Sequence, residues 1–177
     1  MNDYGMIIET GTLRIQRLLP GPLKRVWAYL IESDKRASWL AAGEMPMQVG
    51  AKIELLFCNA DLAGEDEKPP AKYKSCAGKI AQMGHITCIL PPRLVSFTWA
   101  ETGEARPSEV TIELTEQEDK VLLTLTHRRL ANRDTLLSVA SGWHTHLDLL
   151  ADRLLERTPS PFWASMSRLE DEYRAKL

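Results

Sequence analysis

Near the C-terminus the chain reads SGWHTHLDLLADRLLE, placing His144 and His146 two residues apart, and a third histidine, His127, closes the run KVLLTLTH. Histidines beside carboxylates suggest metal ligation or proton transfer. Helical geometry argues against a shared metal. Residues i and i+2 of a helix point about 200° apart, whereas a ligand pair prefers i and i+4. No metal site and no cofactor are expected. His144 lies four residues before Asp148, toward the polar side of the helix. Solvent is its expected environment, with an ion pair worth only a few tenths of a kcal/mol. His146 sits at the edge of the apolar stripe, one turn before Leu150, where its ring can reach an interior. His127 shares a strand face with Leu123 and Leu125, so two histidines could meet inside. Either could serve as a general acid–base if a ligand came within hydrogen-bond reach. The plainer reading is a hydrogen-bonded core or rim histidine, and no residue is assigned a catalytic role.

Arg17 shares a strand face with Leu13 and Ile15. Pointing inward it needs a partner, because an unpaired buried charge is costly. A ligand carboxylate would serve; an internal ion pair, or a side chain reaching the rim, is the simpler alternative. Trp27, Trp39, Phe97, Trp99 and Trp143 could line a pocket, although such residues are more often core. Trp39 ends the second helix, near the expected mouth. The candidate cavity set is therefore Arg17, Trp39, Phe97, His127, Trp143, His146, Leu147 and Leu150. No Ser-His-Asp arrangement, CxxC, HExxH or glycine-rich phosphate loop is present.

These residues must be positioned by a particular order of elements. GTLRIQRLL alternates as a strand and stops at PGP; Pro22 then suits the first turn of a helix. PLKRVWAYLIES carries Leu23, Val26, Trp27 and Leu30 at helical spacing. A second short helix follows in SDKRASWLA, with Ser33 or Asp34 as cap and Gly43 after its end. Strands are expected in VGAKIELLF, GHITCIL and LVSFTW, the last two separated by a turn at Pro91-Pro92. SEVTIELTE and KVLLTLTHR alternate about the turn EQED and read as an antiparallel hairpin. From Arg133 to about Arg157 the pattern is helical, with Leu136, Val139, Ala140, Trp143, Leu147, Leu150 and Leu154 on one stripe and Asp148, Asp152 and Glu156 opposite. FWASMSRLEDEYRAKL suggests a short helix or tail anchored by Phe162 and Trp163.

The stretch CNADLAGEDEKPPAKYKSCAGKIAQM is longer than a strand connection needs. It reads either as a solvated loop or as a lid over the cavity opening, poorly regular over residues 60 to 78. Asp61, Glu65, Asp66 and Glu67 are expected in water, with Leu62 and Tyr73 folding back over apolar ground. Helices segregated from an antiparallel sheet imply an α+β layer architecture, the sheet wrapped around one long helix.

The chain has 177 residues, enough for one domain with a sizeable core. A formal net charge of −2 predicts no bulk attraction to nucleic acid or to anionic membrane. Three cysteines without a CxxC pair argue against a disulfide framework. No signal peptide and no membrane-spanning run is evident. A cytoplasmic protein without membrane insertion is expected, and a homodimer is left open.

RLLPGPLKRVWAYLIESDKRASWLAAG, VGAKIELLF, PPRLVSFTW, VLLTLTHRRL and SGWHTHLDLLADRL occur in this order. Together they resemble the activator of heat-shock-protein-90 ATPase-like family, within the START-like, birch-pollen-allergen-like helix-grip superfamily, over roughly residues 10 to 157. The resemblance implies a seven-stranded antiparallel sheet gripping the C-terminal helix with a cavity between them, and residues 158–177 as an extension of a single domain. It also implies binding of a small apolar or amphipathic molecule, since many members of the superfamily do so. Some members are cyclases or hydrolases acting within the cavity. The family takes its name from a co-chaperone that stimulates a chaperone ATPase. Three functions follow as expectations: a binding protein first, then a cyclase- or hydrolase-type enzyme using a cavity histidine, then an interaction protein with a protein partner.

Overall fold

The computed structural model describes residues 4–64, 67–99 and 106–177. Seven strands form one antiparallel sheet in the order β1-β2-β7-β6-β5-β4-β3. They are β1 (Met6–Glu9), β2 (Thr12–Pro20), β3 (Lys52–Cys58), β4 (Lys79–Leu90), β5 (Leu94–Trp99), β6 (Ser108–Gln117) and β7 (Lys120–Arg128). The helices are α1 (Leu23–Ile31), α2 (Ser33–Ala37), two single turns α3 (Asn59–Leu62) and α4 (Lys74–Ala77), the long α5 (Arg133–Leu154) and α6 (Phe162–Lys176). This is the helix-grip fold: a curved sheet closed over α5. No helix of the described residues is long and apolar enough to cross a membrane.

The period-two alternation of the strands sets the core. Register places Leu13 opposite His127, His127 opposite Val110, Val110 opposite Phe97 and Phe97 opposite Ile86. All five are buried. The next row runs Ile15, Leu125, Ile112 and Val95. Against these rows lies α5, with Trp143, Leu147, Leu150 and Leu154 at most 3% exposed. Asn132 caps its start by accepting the Thr135 N–H at 2.8 Å.

Two expectations about the ends of the chain are corrected. The tail is not short: α6 has 15 residues and packs along the back of α5, burying Phe162, Trp163, Met166, Leu169 and Tyr173. His144 is consequently buried, at 5% exposure, rather than solvated. Its side of α5 faces a second helix, so the polar reading of that face fails. Strand β1 lies outside the expected set because all four of its residues are exposed and carry no alternation.

The turn after α2 is built around Arg36. It is 1% exposed and has its guanidinium on four backbone carbonyls: Leu30 and Ile31 at 3.1 Å, Ala41 at 3.1 Å, and Gly43. Burial lowers its pKa to about 10. Gly43 adopts φ +114, and a Cβ there would meet the Glu54 carbonyl, so the position requires glycine. The expected cap of α2 is absent. The N-cap is Glu32, without a side-chain bond, and Ser33 Oγ instead accepts the Gly43 N–H at 2.9 Å.

Candidate functional site

His146 is placed by the turn that Arg36 secures. Trp39 is wholly buried, and its indole N–H donates to the Tyr29 carbonyl at 2.8 Å. Its own carbonyl lies 2.7 Å from His146 Nδ1. A carbonyl only accepts, so Nδ1 carries the hydrogen and Nε2 presents a bare lone pair. Burial lowers the His146 pKa to about 4, against the opposing effect of the bond to Trp39. The ring is wedged edge-on between Phe162, at 5.3 Å, and Phe57, at 6.5 Å.

This ring borders a partly open groove of about 280 Å³. Its walls are Leu40, Phe57, Ile80, Trp99, Trp143 and Met166, drawn from the α2 turn, three strands and both C-terminal helices. Asn59, Gln82 and Ser138 add neutral polar groups, and none of the described lining residues is an acid, a lysine or an arginine. Gly142 forms part of the floor on α5, where an added Cβ would have open space within 4 Å. A larger depression of about 560 Å³ lies near Asp61, Glu67, Arg153 and Pro159. It has no aromatic wall and a charged rim, so it fits an apolar ligand less well.

Of the eight candidate residues, Trp143 and His146 line the groove. Phe97 lies behind Trp99, ring centres 6.2 Å apart. Leu147 and Leu150 are fully buried in the core, as is Trp39. Arg17 pairs internally with Asp148 Oδ1, through Nη2 at 3.0 Å and Nε at 3.3 Å. His127 has both ring nitrogens engaged: Nδ1 accepts the Trp143 indole N–H at 3.1 Å, and Nε2 donates to Ser108 Oγ at 3.0 Å. Burial lowers its pKa to about 3, and the Arg129 guanidinium acts in the same direction. His127 and His146 are joined through Trp99 and Phe57 rather than by direct ring contact.

The long connection carries more order than its composition suggests. Asn59 and Cys76 both border the groove, and Asn59 Nδ2 donates to the Cys76 carbonyl at 3.0 Å. Leu62 and Tyr73 are buried as expected, and Asp61 is exposed. Glu65 and Asp66 lie outside the described residues. Glu67 departs from its expected place in water. Its carboxylate accepts the Phe162 and Ala164 N–H groups at 2.8 Å each, capping α6. Tyr73 stacks on Trp163 at 5.8 Å and bonds Glu170. The only sequence signal for this strap was the pair of aromatic residues at the start of α6.

A second polar chain escaped sequence reasoning. Arg17 holds Asp148, whose Oδ2 lies 3.5 Å from His144 Nε2; His144 Nδ1 is 3.0 Å from Tyr173 Oη. An acid, a histidine and a hydroxyl in line have the connectivity of a proton relay. Here the hydroxyl is wholly buried and accepts the Gly5 N–H at 2.6 Å, so the line acts as a bolt. Burial, with Arg17 and Arg168, lowers the His144 pKa to about 3. Among the described residues no group of three or more His, Cys, Asp or Glu is placed to hold a metal ion.

Comparison with known proteins agrees with this architecture. The chain is 42% identical to a Bordetella parapertussis protein, encoded by gene BPP1335 and solved by solution NMR, with a TM-score of 0.84 over 99% of this chain and 91% of that one. CalU16 from Micromonospora echinospora shares the fold at 22% identity and a TM-score of 0.67, covering 98% of this chain and 94% of that one. DynU16, a protein in the dynemicin biosynthetic locus, does so at 19% identity and a TM-score of 0.65, covering 86% of this chain and 50% of that one. No curated protein matches the chain. The family model for activator of Hsp90 ATPase homolog 1-like protein matches residues 20–155. With the opening helix pair, strands β3 to β7 and the long helix α5 all inside that match, the chain belongs to the activator of Hsp90 ATPase homolog 1-like family.

Proposed function

We propose that this protein binds a small apolar or amphipathic molecule in the groove between the sheet and α5. The observation that carries the reading is the lining itself: three aromatic side chains, aliphatic walls and a few neutral polar groups, with no charged side chain among the described residues. Sites for such ligands are built this way. On this reading Trp143 and His146 contact the ligand. Phe97, Leu147 and Leu150 support the wall from behind, as does the carbonyl of Trp39. Arg17 and His127 hold the frame.

The chemistry of the histidines favours binding over proton transfer. A general base works best with a pKa near the operating pH. His146 is held near 4 and His127 near 3, and His127 has no ring nitrogen to spare. The described residues of the connection over 60–78 act as a lid at one side of the groove, with Cys76 and the preceding Asn59 at the edge.

A thermal-shift panel of uncharged apolar probes tests the reading. A ligand held only by the native state stabilises it by about 2.7 kcal/mol at a concentration of 100 Kd. A rise in Tm with one site per chain is expected. A panel that leaves the Tm unmoved removes the reading.

A further inference from the structure

We propose that the groove selects an uncharged amphiphile that donates a hydrogen bond to His146 Nε2, and that it disfavours carboxylates such as fatty acids. The inference rests on the groove being the binding site and adds the chemical class of what occupies it.

The ring of His146 has one choice of tautomer. Its Nδ1 is 2.7 Å from the Trp39 carbonyl, which can only accept. That carbonyl cannot easily turn away. Trp39 is wholly buried and anchored by its indole, while Arg36 ties down the carbonyls of Ala41 and Gly43 just beyond. The hydrogen therefore stays on Nδ1, and Nε2 faces any ligand as an acceptor. Nε2 has no hydrogen-bond partner among the described residues.

A second acceptor belongs to a residue that borders the same groove. Asn59 is 9% exposed, and its amide orientation is fixed because Nδ2 donates to the Cys76 carbonyl. Its Oδ1 is buried and has no partner among the described residues. Buried polar groups are nearly always satisfied in native proteins, so an orphaned acceptor beside an apolar groove marks a place for a donor. A hydroxyl or N–H on an otherwise apolar ligand completes such a site.

A carboxylate meets the opposite conditions. It would lose its hydration among aromatic rings, approach two acceptors and find no cation among the described lining residues. Ser138 and Gln82 offer only neutral dipoles. Arg17, which could have received a carboxylate, has the simpler alternative, an internal ion pair with Asp148.

Calorimetric titration of the full chain at neutral pH with naphthol, its methyl ether and naphthoate tests this. Heteronuclear NMR of the His146 ring nitrogens accompanies it. Naphthol should bind about three- to tenfold more tightly than the ether, the range of one net hydrogen bond, although the ether is the more hydrophobic. Naphthoate should bind most weakly. The Nε2 resonance should move upfield with naphthol and stay in place with the ether. His146→Phe keeps an aromatic ring without the acceptor and should erase the preference; the NMR measurement on the native chain stands whether or not that variant folds. Equal affinity for naphthol and ether with Nε2 unmoved, or tightest binding of naphthoate, overturns the inference and leaves the groove as a site. Failure of all three to bind overturns the binding reading, and the inference with it.

Discussion

The hydroxyl of Tyr173 lies 3.0 Å from His144 Nδ1 and accepts the Gly5 N–H at 2.6 Å. One phenol thus ties the last helix, the long helix and the N-terminal segment together. The arrangement also explains why α5 is buried on two sides: α6 covers the face that carries His144. Tyr173→Phe keeps the ring but orphans a buried histidine nitrogen and a backbone N–H. It should cost about 1–3 kcal/mol, read by urea unfolding. A loss below about 0.5 kcal/mol, the scatter of ordinary surface changes, would show that the bolt bears no weight.

On the sheet side of α5, Leu150 is fully buried. Leu150→Ala should cost about 2–5 kcal/mol through lost burial and the cavity left behind. Unchanged thermal stability would contradict the packing of α5 against the sheet.

Acid should weaken the fold through its histidines. Burial holds His127 near pKa 3 and His146 near 4, below the ordinary 6.5. Below pH 6.5 the unfolded chain takes up protons that the native state refuses. Their contribution is complete above that pH and declines as pH falls toward 4, by roughly 1.4 kcal/mol per pH unit for each histidine. Urea unfolding from pH 7 to 4 should show this slope in the native chain, and a smaller one in His127→Gln. A flat profile would mean that these histidines are protonated in the folded state.

Most of the frame was legible in the sequence because it rests on periodicity. The alternation of Leu13, Ile15 and Arg17, and of Val121 through His127, is seen again as the inward faces of β2 and β7. The stripe from Leu136 to Leu154 is the face of α5 on the sheet. What periodicity missed depends on contacts between distant segments. Arg36 sits in a run of charged residues that looks solvated, yet its guanidinium is buried on carbonyls that only the folded turn brings together. His144 looked polar because Asp148 follows it by one turn, whereas its partner in the covering helix, Tyr173, lies 29 residues downstream. Asn59, Cys76 and Met166 reach the groove from segments without a decisive pattern.

The strap between the long connection and α6 is the candidate gate. Glu67 caps α6 and Tyr73 stacks on Trp163. Glu67→Ala should cost about 1 kcal/mol, as lost helix caps do, and should speed amide exchange across residues 71–77. Ligand should slow exchange in the same residues. Identical exchange with and without ligand would reduce the segment to a connector.

The central claim is that the groove floored by Gly142 holds the ligand. Gly142 lies inside a helix, and an added Cβ there meets nothing within 4 Å. Gly142→Leu should therefore leave the fold intact, with about 0.5–1 kcal/mol gained from helix propensity, while its side chain occupies the groove. Fluorescence titration of both proteins with the uncharged probe phenylnaphthylamine is the most direct measurement. The native chain should bind one probe, and the folded, slightly more stable Gly142→Leu variant should bind it at least tenfold more weakly. Equal affinity in the two proteins would place the ligand elsewhere and contradict the account.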